Sequence, residues 1–131
     1  MKNALSINKY INKFLTESEA VTALVEVQNI RPLILAPTIF PYISFMHGNI
    51  SSSYTKDGWY EDSTTVDIIC VSDDYGQTID IAEAVRDLLE EKAYKDDDIY
   101  ISQIRLIGST EDQIDNVFVQ RLSFDVKVTA F

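Results

Sequence analysis

Near the start of the chain Ile7, Ile11, Phe14 and Leu15 recur at steps of three and four, which predicts an amphipathic helix through Leu5 to Leu15. A second, short helix is expected after Ser18, whose hydroxyl can cap it ahead of Ala20, Val21, Leu24 and Val25. Between Gln28 and Pro41 stand Pro32, Pro37 and Pro41. Each proline fixes its own φ and pushes the preceding residue toward extended geometry, so this segment reads as an extended, irregular crossing and not a helix.

Aromatic and branched residues then mark a strand over Tyr42 to Ile50. Ser51 to Trp59 is polar and reads as a strand end with a loop or hairpin tip. Ser63 to Ser72 is a second strand, with Val66, Ile68, Ile69, Cys70 and Val71 suggesting burial on both faces at its centre. The clearest helix begins at Asp74, a candidate cap with Gln77 three residues on to close a capping box. Thr78, Ile81, Ala82, Val85, Leu88 and Leu89 form its apolar stripe. After a charged turn at Lys95 to Asp98, a third strand is expected over Ile99 to Ile107 and a fourth over Val117 to Phe131. The last alternates: Leu122, Phe124, Val126, Val128 and Ala130 on one face, Arg121, Ser123, Asp125, Lys127 and Thr129 on the other. The expected fold is α+β, a four-stranded, largely antiparallel sheet with one amphipathic helix packed on it and helices at the N-terminus. A single domain over residues 1–131 accounts for the pattern.

Composition sharpens this. With 131 residues and 46% hydrophobic content, the chain can build a core without a metal or disulfide staple. The one cysteine, Cys70, excludes an internal disulfide and reads as a small core hydrophobe. Met1 to Asn12 lacks the basic-then-apolar pattern of a secretory signal, and no apolar stretch approaches the roughly 20 residues of a membrane-spanning helix. A cytoplasmic location is therefore expected. The net charge of −10 opposes direct binding to nucleic acid or anionic lipid, so proteins are the expected partners.

Catalytic signatures are missing from the pattern. His47 is the only histidine and sits within a strand without a visible constellation around it. The acidic groups Asp73-Asp74, Asp96 to Asp98, and Glu111-Asp112 with Asp115 do not match a calcium loop, and read as helix capping and solvated turns. The four glycines are too scattered to cradle a phosphate. No cofactor, metal or catalytic residue is expected. The most informative surface is Ser51 to Tyr60, where Tyr54, Trp59 and Tyr60 gather on a polar stretch. Such rings are enriched at interface hot spots, although they can equally close one end of a core. Ile114 to Val119 around Asn116 raises the same question.

Taken in order, these segments resemble the tail-completion, or tail-terminator-like, family of long-tailed bacteriophages and prophages. The resemblance rests on the helix leading to Ser18–Val25, on Ile30-Arg31-Pro32, on Phe40-Pro41-Tyr42-Ile43-Ser44-Phe45, and on Val66-Asp67-Ile68 before the Asp-led helix with Ala82, Ala84 and Val85. It closes on Arg121-Leu122-Ser123-Phe124-Asp125-Val126. It implies a structural subunit that forms a ring with copies of itself, a hexamer, at the head-proximal end of the tail. Tail-tube and head-connector proteins are the implied neighbours, and the virion tail, or the host cytoplasm during assembly, the implied location. Head-to-tail ring contacts need two different patches on each copy. Tyr54, Trp59 and Tyr60 are candidates for one, and the exposed face of the last strand, with Arg121 and Lys127, for the other. The alternative reading is a small ferredoxin-like regulatory domain whose sheet binds a ligand; an enzyme using scattered carboxylates is weaker still.

Overall fold

The computed structural model describes residues 2–33 and 39–130. A 3-10 turn (Ala4–Ser6) leads into α1 (Ile7–Glu17), followed by the single-turn α2 (Glu19–Thr22) and β1 (Ile30–Pro32). Then come β2 (Tyr42–His47), β3 (Ser51–Tyr54), β4 (Tyr60–Ser72), α3 (Tyr75–Leu89), β5 (Tyr94–Lys95), β6 (Tyr100–Ile114) and β7 (Val117–Ala130). The expectations placed on Pro37 and Phe131 lie outside the described residues.

The strands form one seven-stranded sheet in the order β1-β2-β4-β7-β6-β5, with β3 pairing the first part of β4. β1 runs parallel to β2, and every other pair is antiparallel. The expected four-stranded sheet with one helix on it is therefore wrong: the chain is mostly sheet, mixed, and curled into a half-barrel. The physical reasons are local. β1 and β5 have three and two residues, too few for any periodicity to show. β3 is Ser-Ser-Ser-Tyr, with no apolar alternation, and it is held in the sheet by β4. β6 continues beyond Ile107 through polar residues because β7 pairs with it as far as Ile114.

One face of the sheet carries the core. Ile43, Phe45, Val66, Ile68, Cys70, Phe124, Val126 and Val128 turn inward and are buried. Against them lie Ile7, Ile11, Phe14 and Leu15 of α1 and Ile81, Val85 and Leu89 of α3. The predicted stripe of α3 is thus the buried one, with Leu88 at its margin. Ser18 caps α2, its Oγ accepting the Val21 N–H at 3.4 Å. The capping box expected from Asp74 and Gln77 does not form. Asp74 is the N-cap residue but its side chain makes no cap bond; the Ser72 hydroxyl instead donates to Gln77 Oε1 at 2.5 Å and accepts the Asp74 N–H at 3.1 Å. Ser72, buried at the end of β4, engages the Gln77 side chain instead.

Candidate interaction surface

The β3–β4 tip is built by register. Tyr54 stands directly opposite Tyr60, and the rings tilt at 45° with centroids 5.7 Å apart. Beyond them the Thr55 N–H donates to the Trp59 carbonyl at 2.8 Å, and the Trp59 N–H donates to Thr55 Oγ1 at 3.2 Å. Gly58 supplies the positive φ of 86° that this turn requires. Tyr54 is 75% exposed and Trp59 48%, while Tyr60 is half-buried and its hydroxyl accepts from Asn3 Nδ2 at 3.4 Å. Within the stretch Tyr54 faces outward and Tyr60 is the more covered of the pair. Beneath them Asp62, 4% exposed, accepts the Ala4 N–H at 3.2 Å and the Ser52 hydroxyl. That buried carboxylate ties the N-terminal turn to β3. Leu5, Ile50, Tyr54 and Tyr60 line an open groove of about 380 Å³ over it.

Arg121 and Lys127 do not join this tip. Alternation along β4 and β7 puts Tyr60 and Asp62 on the helix-covered face, and Arg121 and Lys127 on the reverse. Arg121 lies opposite Ile69 and Thr110, and Lys127 opposite Ser63 and Gln103. Six residues of strand, about 20 Å, separate the two cations. Lys127 stands behind the β3–β4 tip and Arg121 toward the other end of the sheet. The five residues singled out from the sequence therefore make two surfaces.

A third contact set escaped the sequence reading. At the far end of the β6–β7 hairpin, the Tyr75 hydroxyl and Gln120 Nε2 both donate to Glu111 Oε1, the amide at 2.7 Å. The Tyr75 ring meets Phe118 edge-on at 5.5 Å. The bond to Glu111 raises the Tyr75 pKa, because ionising the phenol would destroy it and place two negative charges together. Glu111 looked like a solvated turn residue because its partner at the start of α3 is 36 positions away.

The remaining candidates are structural. His47 Nδ1 donates to the Gly48 carbonyl at 2.8 Å. Cys70 is fully buried, and desolvation pushes its thiol up to about 12, so it is no nucleophile. Asp96 accepts the Asp98 and Ile99 N–H groups and the Tyr94 hydroxyl, which makes the acidic turn a folded feature. Among the described residues no group of three His, Cys, Asp or Glu side chains could hold a metal ion, and no helix is long and apolar enough to cross a membrane. A groove of about 550 Å³ runs between α2 and α3, floored by Ala20, Leu24, Ala84 and Leu88 and rimmed by Asp80, Glu83 and Asp87.

A sheet backed by helices on one face displays aromatic and charged residues at separate places on its surface, an arrangement suited to contact with other proteins. The chain belongs to the tail completion protein gp17 family, whose model matches residues 9–129. It is a structural component of the phage virion tail. Its fold is shared with a chain in a solved structure described as the virion of a native gene transfer agent particle, with a TM-score of 0.72, 13% identity and 92% of each chain covered. A comparison with curated proteins returns no match.

Proposed function

We propose that this chain is the subunit of a head-to-tail ring, a hexamer, that completes the tail at its head-proximal end and joins tail tube to head connector without catalysing a reaction. The observation that carries the reading is the separation of exposed apolar surface. Tyr54 and Trp59 project at the β3–β4 tip, while Ile114 projects at the far end of the β6–β7 hairpin and Ile107 from the middle of β6. A head-to-tail ring uses two unlike patches on every copy. Arg121 and Lys127, on the uncovered face, are the residues proposed to meet an acidic neighbour.

Light scattering across a range of protein concentration tests the reading. A ring-sized species is expected, and Trp59→Ala or Tyr54→Ala is expected to shift its formation to higher concentration with the thermal midpoint unchanged. Assembly indifferent to both substitutions removes the tip from the interface. A strict monomer at every concentration removes spontaneous ring closure.

A further inference from the structure

The edges of the sheet differ in how they are closed. On one side β1 ends the sheet with Arg31 and Pro32. On the other, β5, which carries Lys95, covers the start of β6. Past β5 the edge of β6 is sealed by the C-terminal end of α3: the Glu91 N–H donates to the Ile104 carbonyl at 2.8 Å, and the Leu106 N–H donates to Glu90 Oε1 at 3.2 Å. Short strands, proline, lysine and covering segments are the devices that stop sheets joining edge to edge. Two stretches lack the last three of these. Ser51–Tyr54 and Gly108–Ile114 contain neither proline nor lysine, and among the described residues no strand lies outside either.

Strand alternation tells which backbone groups are open. The Gly48 N–H donates to the Thr65 carbonyl at 2.7 Å, so the odd residues of β4 face β2 and β3. Glu61 and Ser63 then bond Ser53 and Ser51, and the N–H and C=O groups of Ser52 and Tyr54 point out of the sheet. On β6 Ile104 and Leu106 point outward, and the register shift between Leu106 and Gly108 moves the outward set to Ser109 and Glu111. Gln113 is outward too, but its N–H is taken by Asp112 Oδ1 at 2.8 Å. Three properties of the two open edges agree. Each exposes two residues spaced by two. β3 runs antiparallel to β4 while β6 runs in the same direction as β4, so the edges oppose each other in sense. All four side chains lie on the helix-covered face, as their partners Asp62, Tyr60, Leu122 and Gln120 show, so joining the edges keeps that face continuous.

We propose that Ser109–Glu111 of one copy pairs antiparallel with Ser52–Tyr54 of the next, Ser109 opposite Tyr54 and Glu111 opposite Ser52, extending the sheet from subunit to subunit. This deepens the ring reading and rests on it. The open edges lie on opposite sides of the same sheet, so no copy can satisfy its own and the contact is necessarily head-to-tail. The pairing brings the exposed Ile107 of one copy toward the exposed tip of its neighbour.

The test is cross-linking between Ser109→Cys and Tyr54→Cys. Directly opposite, hydrogen-bonded residues of an antiparallel pair have Cα atoms about 5.5 Å apart, within the span of a disulfide. The buried Cys70 does not compete. Under mild oxidation the double variant should give a ladder of multimers on a non-reducing gel. A mixture of the two single variants should stop at dimer, and neither alone should link. Ser109→Pro removes an outward N–H without touching the β6–β7 ladder and should raise the concentration needed for assembly by about tenfold, as loss of roughly 1.4 kcal/mol implies. A protein that assembles equally well with Ser109→Pro and gives no ladder overturns the strand pairing and leaves the ring reading standing. A protein that stays monomeric and gives no ladder overturns the strand pairing together with spontaneous ring closure. If Ser109→Pro fails to fold by circular dichroism, the cysteine ladder decides alone.

Discussion

The two halves of β6 belong to one strand and live under different physics. From Tyr100 to Leu106 the strand is covered on its helix side, and Ile101 and Ile104 are fully buried. From Ile107 to Ile114 every residue is exposed, although past the register shift between Leu106 and Gly108 the ladder to β7 runs on to the turn at Asp115. Both halves pair with β7 along their length, and beyond the register shift that divides them it is apolar burial that differs. The first half is held by the hydrophobic effect acting on its side chains. The second is held by its partner strand and by a few contacts such as Tyr75 with Glu111 and Phe118. A strand that persists without a core beneath it spends surface on something other than stability, and here that surface is an open edge.

The widest gap between the halves should appear on truncating one isoleucine in each. Ile104→Ala removes buried atoms from a packed core and should destabilise the protein by about 2–4 kcal/mol in chemical denaturation. Ile114→Ala, at an exposed position near the tip, should stay within about 0.5 kcal/mol of the parent. Equal losses from both would mean that the distal hairpin is packed as tightly as the core, and the contrast would fail.

A second test asks whether the β3 edge is as weakly held as the distal part of β6. Its fixed point is Asp62, which is buried yet bonded to both Ala4 and Ser52. Asp62→Ala leaves the Ala4 N–H without its partner beneath the N-terminal turn and should cost about 1–3 kcal/mol. Amide exchange should quicken at Ala4 and along β3, while β7 stays protected. Protection lost evenly over the whole sheet would show that Asp62 supports the core and not the edge alone.

How much of this was legible in the sequence depends on what each element is made of. α1, α3, β4 and β7 declare themselves because each buries a stripe or an alternate set of apolar residues long enough to count. β1, β5 and β3 do not, being short or polar and placed by neighbours distant in sequence. The candidate surface was half visible. Tyr54 and Trp59 could be found from residue type alone, since large rings in a polar stretch are conspicuous. That Arg121 and Lys127 form a patch apart from them was expected from strand alternation, but which end of the sheet each cation occupies depends on the register of β4 against β7 and could not be read. The Glu111–Tyr75 bond and the open edges of β3 and β6 are properties of pairing, and one-dimensional pattern carries no trace of them. The acidic turn was misjudged for the opposite reason: three consecutive aspartates look alike in sequence, yet it is the Asp96 side chain that accepts backbone N–H groups.

That turn supplies the smallest expected effect, and it probes the well-held end of β6. The Asp98 N–H, followed by the Ile99 N–H and the Tyr94 hydroxyl, favours the charged form of Asp96 and lowers its pKa below the ordinary aspartate value, against the opposing effect of desolvation. A folded-state pKa below the unfolded one contributes stability that is fully present above the unfolded value. That contribution is lost as pH falls through the folded value. Asp96→Asn keeps an oxygen acceptor but removes the charge, so its urea midpoint should lie slightly below the parent's at neutral pH. The difference should begin to shrink below about pH 4 and close only once the pH passes below the lowered folded value, where the parent carboxyl is neutral too. Paired urea titrations at pH 7 and near the acid limit of folding measure it. A difference that persists unchanged into acid would mean that the shape of the turn, and not the charge of Asp96, secures the start of β6.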